Sequence, residues 1–242
     1  GAQYFTVRNP AFGEFLQEHA GSDCWGEWQG RFRYQDHKGV WQDMRPAQRY
    51  VGIPRMSAIT RAISRGLDLR TGIRIASLQR DDHGLWQLTD TDGGVHGGYD
   101  AVILTPPPAQ TSELLTDSGL SDVAGDLSIR ISRMQACWTV VVHFPQGSGA
   151  GVEGFMPASP LLSWAANNSS KPGRDDSGEW WVLHADPDWS DANTGTDPEQ
   201  VRETLLAEFL RCSDITAQPD DFLVHRWLYA KPLGRTAPGH LW

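Results

Sequence analysis

Strand-like and helix-like segments alternate along this chain without a regular period, and that mixture limits the folds open to it. Residues 73–78 and 85–89 alternate apolar with polar side chains, and a turn rich in Asp and Gly follows each. Residues 101–104 form a continuous apolar run, which is typical of a strand buried on both faces, as in a parallel sheet. Three consecutive prolines then stop any ladder. We therefore predict three strands in this part of the chain.

The same mixture continues on both sides of that region. Asn9 and Pro10 carry the capping and first-turn signals of a helix, and Asp197 begins another. Strands are predicted in further places, at residues 25–34 and 40–41 (a hairpin), 136–144, 180–185 and 222–230. Because no βαβ repeat emerges, we expect an α+β fold, or an α/β fold with an antiparallel part.

Composition excludes several classes of protein. The chain has 242 residues and a net charge of −9, so a nucleic acid or an anionic membrane is not the expected partner. Its 11 Trp, 8 Phe and 5 Tyr are too many for a disordered chain, and no run of 18 apolar residues predicts a membrane span. Three widely spaced cysteines and the lack of a secretory signal in residues 1–20 predict a cytoplasmic protein with reduced thiols.

Catalytic motifs with a known mechanism find little support. Residues 149–154 match GxGxxG after a predicted strand, but prolines follow at once and no helical period appears, so we interpret the match as a glycine-rich loop. His143, His184 and His225 lie on separate predicted strands without a nucleophile partner. No Cys or His spacing is that of a metal site, so we expect no metal.

Aromatic and amide side chains are concentrated between residues 164 and 229. Aromatic faces and amide donors with few acids or bases suit a pocket for a flat heterocycle. An aromatic core beneath loops explains the composition equally well. The residues alone leave both interpretations open.

Six segments, in a fixed order along the chain, carry a resemblance that bears on this choice. They are residues 1–6 (GAQYFT), 50–58 (YVGIPRMSA), 104–110 (LTPPPAQ), 170–174 (SKPGR), 181–185 (WVLHA) and 225–230 (HRWLYA). Together they resemble the bacterial renalase-like family of FAD-dependent oxidoreductases, which are often labelled flavin-containing amine oxidases. The similarity covers essentially the whole chain.

The resemblance implies an α/β fold with an α+β insertion, in which a Rossmann-type FAD/NAD(P)-binding domain joins an antiparallel-sheet substrate domain. Residues 1–6, 51–110 and 231–242 would belong to the FAD-binding part, and residues 7–50 and 111–230 to the substrate part. The FAD would lie at their junction. The family's N-terminal GxGxxG unit and C-terminal FAD segment would precede and follow the present sequence, so the FAD-binding domain is expected to be partial.

Residue roles follow from the same resemblance. Cofactor contacts are expected from Gly1, Ala2, Gln3, Tyr4, Phe5, Ile75 and Trp227. Substrate contacts are expected from Trp164, Asn167, Asn168 and His184, and catalytic roles from Tyr4, Asn168, His184 and His225. The chain departs from the family at Asn167, where Arg is usual, and at Arg55, where Gly is usual.

The resemblance also implies an activity. Members take a hydride from reduced nicotinamide dinucleotide isomers onto the flavin, and molecular oxygen then accepts the electrons to give hydrogen peroxide. The expected partners are therefore a small-molecule substrate and oxygen. Two alternatives stay open: a flavin amine oxidase, and a non-catalytic fragment that cannot retain FAD.

Overall fold

The computed structural model describes residues 2–130, 134–174 and 177–233. The helices within this part are α1 (Pro10–His19), α2 (Ser57–Ile63), α3 (Pro108–Asp117), α4 (Ser121–Arg130), α5 (Pro187–Ala192) and α6 (Pro198–Ser213). The strands are β1 (Trp25–Glu27), β2 (Phe32–Gln35), β3 (Trp41–Asp43), β4 (Tyr50–Gly52), β5 (Ile75–Arg80), β6 (Trp86–Asp90), β7 (Val95–Tyr99), β8 (Met134–Phe144), β9 (Gly154–Met156), β10 (Leu162–Asn167), β11 (Glu179–Ala185) and β12 (Asp221–Pro232).

By compactness the chain divides into two units. One comprises Gly1–Leu67 and Gln135–Lys231, and the other comprises Asp68–Met134 and Pro232–Trp242. These boundaries differ from the predicted division at residues 6, 50, 110 and 230. That division concerns which residues bind FAD rather than which pack together, and it stays a prediction.

The first unit is built on a seven-stranded sheet with the order β12-β8-β11-β10-β9-β2-β3. Its pairs β8–β11, β11–β10, β10–β9 and β2–β3 are antiparallel, whereas β2 and β9 are parallel. The sheet is therefore mixed. The predicted hairpin is the β2–β3 pair, although residues 25–27 pair instead with β4.

Helix α6 covers one face of this sheet. Asp197 caps it by accepting a hydrogen bond from the backbone N–H of Glu199 at 2.9 Å, which confirms the predicted start. Val201, Leu205 and Phe209 follow at four-residue spacing and are completely buried. They pack with alternate residues of β8 and β11 in the largest apolar cluster of the described chain.

A smaller layer fixes the N-terminal segment beside this sheet. The backbones of Phe5 and Tyr50 exchange two hydrogen bonds, at 2.9 and 2.8 Å, which hold residues 3–5 beside β4. The ring of Phe5 packs against Trp25, in a cluster with α1 and α2. Gln3 and Tyr4 therefore reach the sheet from a fixed backbone.

The second unit contains the antiparallel sheet β5-β6-β7, with α3 against β5. The predicted strand at residues 101–104 is wrong, since the third strand is β7. The Asp90 carboxylate accepts from the N–H groups of Asp92 and Gly94 and closes a tight turn, so the residues after that turn pair with β6. Residues 101–104 form no strand, and Ile103 is 79% exposed.

The predicted class is confirmed as mixed α/β with antiparallel sheets. The glycine-rich segment at residues 149–153 runs into β9 and not into a helix, as predicted. No helix in the described ranges is long and apolar enough to cross a membrane. Of the three cysteines, Cys24 and Cys212 are buried, Cys137 is half-buried, and all three are free thiols.

Candidate functional site

The sheet face opposite α6 carries several buried or half-buried polar side chains of the first unit. On β11, Leu183 packs toward α6 and His184 lies on the other face beside Thr139 of β8. Trp164 of β10 lies outside the apolar cluster under α6 and packs near Tyr4. This second face of the sheet is therefore where side chains from the N-terminal segment meet those of β10 and β11.

A tight turn at the end of β10 brings Lys171 onto this face. The side chain of Asn167 accepts a hydrogen bond from the backbone N–H of Ser169. The backbone carbonyl of Asn167 accepts one from the Ser170 hydroxyl. These bonds shape a single 3-10 turn over Asn168–Ser170, and Lys171 follows it directly. Gly173 then adopts a left-handed conformation with φ of 73°, and its missing Cβ leaves room for Ile53.

Lys171 is the most unusual side chain of the site, because it is a lysine with only 4% exposure. Its Nζ donates to Gln3 Oε1 at 2.7 Å and to Asn168 Oδ1 at 3.2 Å, and it lies 4.8 Å from the centre of the Trp28 ring. Burial, with a smaller contribution from the charge of Arg174, lowers the pKa of Lys171 to about 7. It can therefore be charged or neutral near physiological pH.

His184 is joined to Lys171 through one amide. Gln3 Nε2 lies 3.5 Å from His184 Nε2, while the oxygen of the same amide accepts from Lys171. Burial, together with the nearby Lys171 charge, lowers the pKa of His184 to about 4. The ring is therefore neutral near pH 7 and can accept a hydrogen bond.

Aromatic rings form the wall beside these groups. The ring centre of Tyr4 lies 5.9 Å from that of Trp164 and 6.3 Å from that of Trp28, both tilted. Trp28 donates from Nε1 to the Ser170 hydroxyl at 2.9 Å. The Nε1 of Trp164 is buried and has no partner among the described residues. The wall thus offers apolar ring faces and one free N–H donor.

The structure brings together five of the predicted site residues, namely Gln3, Tyr4, Trp164, Asn168 and His184. The others have different surroundings. Phe5 packs against Trp25 and Tyr50, Asn167 uses its side chain in the turn, Ala2 is exposed, and Gly1 lies outside the described residues.

Three further predicted residues remain, two on β12 and one in the second compact unit. His225 and Trp227 lie on the exposed strand β12, with their ring centres 4.3 Å apart. Ile75 belongs to the second compact unit. The cofactor roles predicted for Trp227 and Ile75, and the catalytic role predicted for His225, stay predictions.

Sequence reasoning missed three residues of the site: Lys171, Trp28 and Arg49. Arg49 precedes β4, is 7% exposed, and stacks its guanidinium 4.1 Å from the Phe32 ring centre and 5.5 Å from that of Tyr4. The available signal was position alone: Lys171 lies within the block at residues 170–174, and Arg49 directly precedes the block at residues 50–58. Sequence does not show, however, which basic residues are buried.

The donor set of the site consists of ring faces, amides and cations. Within the described ranges no group of three or more His, Cys, Asp and Glu side chains could hold a metal ion. What the site presents instead is ring faces, the amides of Gln3 and Asn168, and two buried cations.

Comparison with known proteins identifies the family. A sequence model of the family described as flavin containing amine oxidoreductase matches residues 6–240. The chain belongs to this family. The description of the family names a flavin and an oxidoreductase, which are the cofactor class and the class of activity that the resemblance implied.

Solved structures share the fold at low sequence identity. A putative protoporphyrinogen oxidase from Exiguobacterium sp. 255-15 has a TM-score of 0.62 and 18% identity, over 80% of this chain and 43% of that one. A putrescine oxidase variant has a TM-score of 0.66 and 10% identity, over 93% and 72%. Cyclohexylamine oxidase from Brevibacterium oxydans IH-35A has a TM-score of 0.54 and 12% identity, over 75% and 40%. The chain thus spans less than half the length of two of these three proteins.

Proposed function

We propose that this protein is an FAD-dependent oxidase of the renalase type, which takes a hydride from reduced nicotinamide dinucleotide isomers. Support for the flavin comes from the family. Support for the substrate class comes from the charge of the site, because its two buried cations meet no carboxylate among the described residues.

The site fits a flat heterocyclic cofactor. A planar ring with carbonyl and ring-nitrogen acceptors needs aromatic or apolar surfaces and a few N–H donors. Tyr4 and Trp164 supply the surfaces, and the buried Trp164 Nε1 supplies a donor that no described residue uses. Gln3 and Tyr4 would hold the ring from the N-terminal segment, with Trp164 on the sheet side. When bound, the flavin would accept the hydride and pass two electrons to oxygen, giving hydrogen peroxide.

The chain's own residues would bind and orient the substrate. His184 stays neutral near pH 7 and can accept a hydrogen bond from the carboxamide of a dihydronicotinamide. Asn168 and Gln3 keep the Lys171 ammonium or amine at a fixed point on the same face. Because Lys171 has a pKa of about 7, it can hold or release a proton without help from a carboxylate.

An amine substrate fits these charges less well. A protonated amine would have to bind beside Lys171 and Arg49, and like charges in a buried site repel strongly. The amine oxidase alternative nevertheless has its own support, because the family carries that description and two structural neighbours are named as amine oxidases. It is therefore the second candidate.

The test is anaerobic mixing of the flavin-loaded protein with reduced nicotinamide dinucleotide isomers and, separately, with putrescine and cyclohexylamine. We expect the flavin absorbance to bleach with the dinucleotides and not with the amines. Bleaching by amines alone would establish the amine oxidase. A colourless protein that takes up no FAD would establish the non-catalytic fragment.

A matched pair of variants assigns the result to the site. His184→Gln should slow bleaching by about ten-fold, which is the effect of losing one well-placed hydrogen bond to the substrate. His143→Gln changes a histidine on the same face of the sheet that is bonded to Asp220 at 2.6 Å, and it should leave the rate unchanged. Equal rates for both variants would remove His184 from the mechanism.

A further inference from the structure

Arg49 is a buried cation whose hydrogen-bonding capacity is mostly unused. Its Nη1 donates to the carbonyl of Ala47 at 3.1 Å, and its Nη2 contacts the Met44 sulfur at 3.6 Å. Its Nε is buried and has no hydrogen-bond partner among the residues that the structure describes. A guanidinium has five N–H donors, so most of them lack a strong acceptor here.

Arg49 has no compensating charge in the part of the chain that the structure describes. Its guanidinium stacks on Phe32 and Tyr4, and no carboxylate in the described ranges pairs with it. Ring faces stabilise a buried cation only in part, and a desolvated charge without a counter-ion is costly. A structural arginine at such a position normally pairs with an acid.

Arg33 of β2 is the comparison, because its Nε is likewise buried without a hydrogen-bond partner among the described residues but has a counter-ion. It also stacks on an aromatic ring, at 5.3 Å from Trp41, but its Nε lies 3.6 Å from the Asp43 carboxylate. The two arginines thus share a ring contact and differ in the counter-ion. Arg49 is the one that contacts Tyr4, and Tyr4 in turn contacts Trp164 of the site.

We infer that Arg49 binds an anionic oxygen group of the ligand, a carboxylate or a phosphate, next to the aromatic wall of Tyr4 and Phe32. This deepens the proposed function, on which it rests for the location of the substrate. It makes the physiological substrate a molecule that combines a flat ring with an anionic group. A bidentate guanidinium–oxyanion pair would satisfy the donors that the protein leaves free.

Nicotinate and nicotinamide test this directly, because they have the same ring and differ in a carboxylate against a neutral amide. Isothermal titration of the full chain should show that nicotinate binds about ten-fold more tightly than nicotinamide, as expected for one charge-assisted hydrogen-bonded pair. Inorganic pyrophosphate forms a second arm. Tighter binding of pyrophosphate than of nicotinate assigns the position to a phosphate, and the reverse order assigns it to a carboxylate. Equal, or absent, binding of all three probes would overturn the inference.

The preference must come from Arg49 and not from Lys171. At about pH 8.5 Lys171 is mostly neutral whereas an arginine keeps its charge, so the preference for nicotinate should persist. Its disappearance at that pH would assign the anion to Lys171 and overturn the inference.

Two substitutions complete the test. Arg49→Met should abolish the preference while Arg33→Met keeps it, and a loss in both variants would contradict the inference. If Arg49→Met does not fold by circular dichroism, Arg49→Lys serves instead; it should retain a reduced preference because it keeps the charge but not the planar fork. Because the readout is binding, it stays decisive even if the dinucleotides fail to bleach the flavin.

Discussion

Leu183 and His184 are neighbours on β11, yet they belong to regions with opposite chemistry. Leu183 lies in the face packed by α6, where it joins Val201, Leu205 and Phe209 in a cluster of buried apolar side chains. His184 lies in the other face, where a lysine, amides and indoles are buried together. The strands are the same for both faces, so the difference comes only from the alternation of side chains.

The two faces are stabilised in different ways. The α6 face gains from apolar burial, which needs no partner geometry. The second face buries a lysine and a histidine whose pKa values are both lowered by burial, and it therefore costs stability. Such a loss of stability is expected in a binding site, because its polar groups are fully paired only when a ligand is bound.

Removing packing from the α6 face should give the largest loss of stability. Phe209→Ala deletes a completely buried ring that stacks on Phe155 and packs against Trp181. We expect the free energy of unfolding to fall by about 4 kcal/mol, measured by urea denaturation. Phe12→Ala, at an exposed ring of α1, is the control and should cost less than about 1 kcal/mol. Similar losses for both would mean that the α6 face is not the main core.

Lys171→Met tests whether burial of Lys171 in the second face lowers the stability of the protein, because that effect depends on pH. The folded-state pKa of Lys171 is about 7, below the unfolded value, so the unfolded chain binds more protons between about pH 7 and 10. Wild-type stability should therefore rise with pH through this window, relative to Lys171→Met, by on the order of 3 kcal/mol. Denaturation curves of both proteins at several pH values measure this difference.

Lys38→Met is the matched control, because Lys38 is exposed in the turn between β2 and β3. It should follow the wild type at every pH. If Lys171→Met also follows the wild type, Lys171 is solvated and the second face carries no such cost.

The same contrast explains how far the sequence could be interpreted. Helix starts at Pro10 and Pro198 follow from local caps, and the strands of the α6 face follow from long apolar runs, so both were predictable. The strand predicted at residues 101–104 was wrong because an apolar run does not show whether a neighbouring strand is available to pair with it. The missed residues, Lys171 and Arg49, were hidden because burial of a charged side chain is decided by distant contacts.

The family resemblance, in contrast, predicted site residues but not which of them contact one another. Gln3 and His184 are 181 residues apart in the chain and share a contact. His225 and Trp227 belong to another of the six blocks, residues 225–230, and lie on the exposed strand β12. The family pattern therefore reduced the number of candidate site residues. Which of these residues contact one another depends on the fold of the backbone.

The smallest expected effect concerns one hydrogen bond of the second face. Ser170→Ala leaves the indole N–H of Trp28, a buried residue, without its acceptor. We expect a loss of about 1.5 kcal/mol in the free energy of unfolding, since an orphaned buried donor costs more than an exposed one. Ser64→Ala, which removes an exposed bond to the Arg61 carbonyl, should change stability by less than about 0.5 kcal/mol.

A double variant distinguishes the orphaned donor from simple loss of contact. Trp28→Phe removes the indole N–H as well, so adding Ser170→Ala to it should cost about 1 kcal/mol less than Ser170→Ala alone. Additive losses would mean that the bond between Trp28 and Ser170 contributes nothing. The second face would then be stabilised by its aromatic rings and not by its polar hydrogen bonds. The difference in stabilisation between this face and the α6 face would be smaller than the burial pattern indicates.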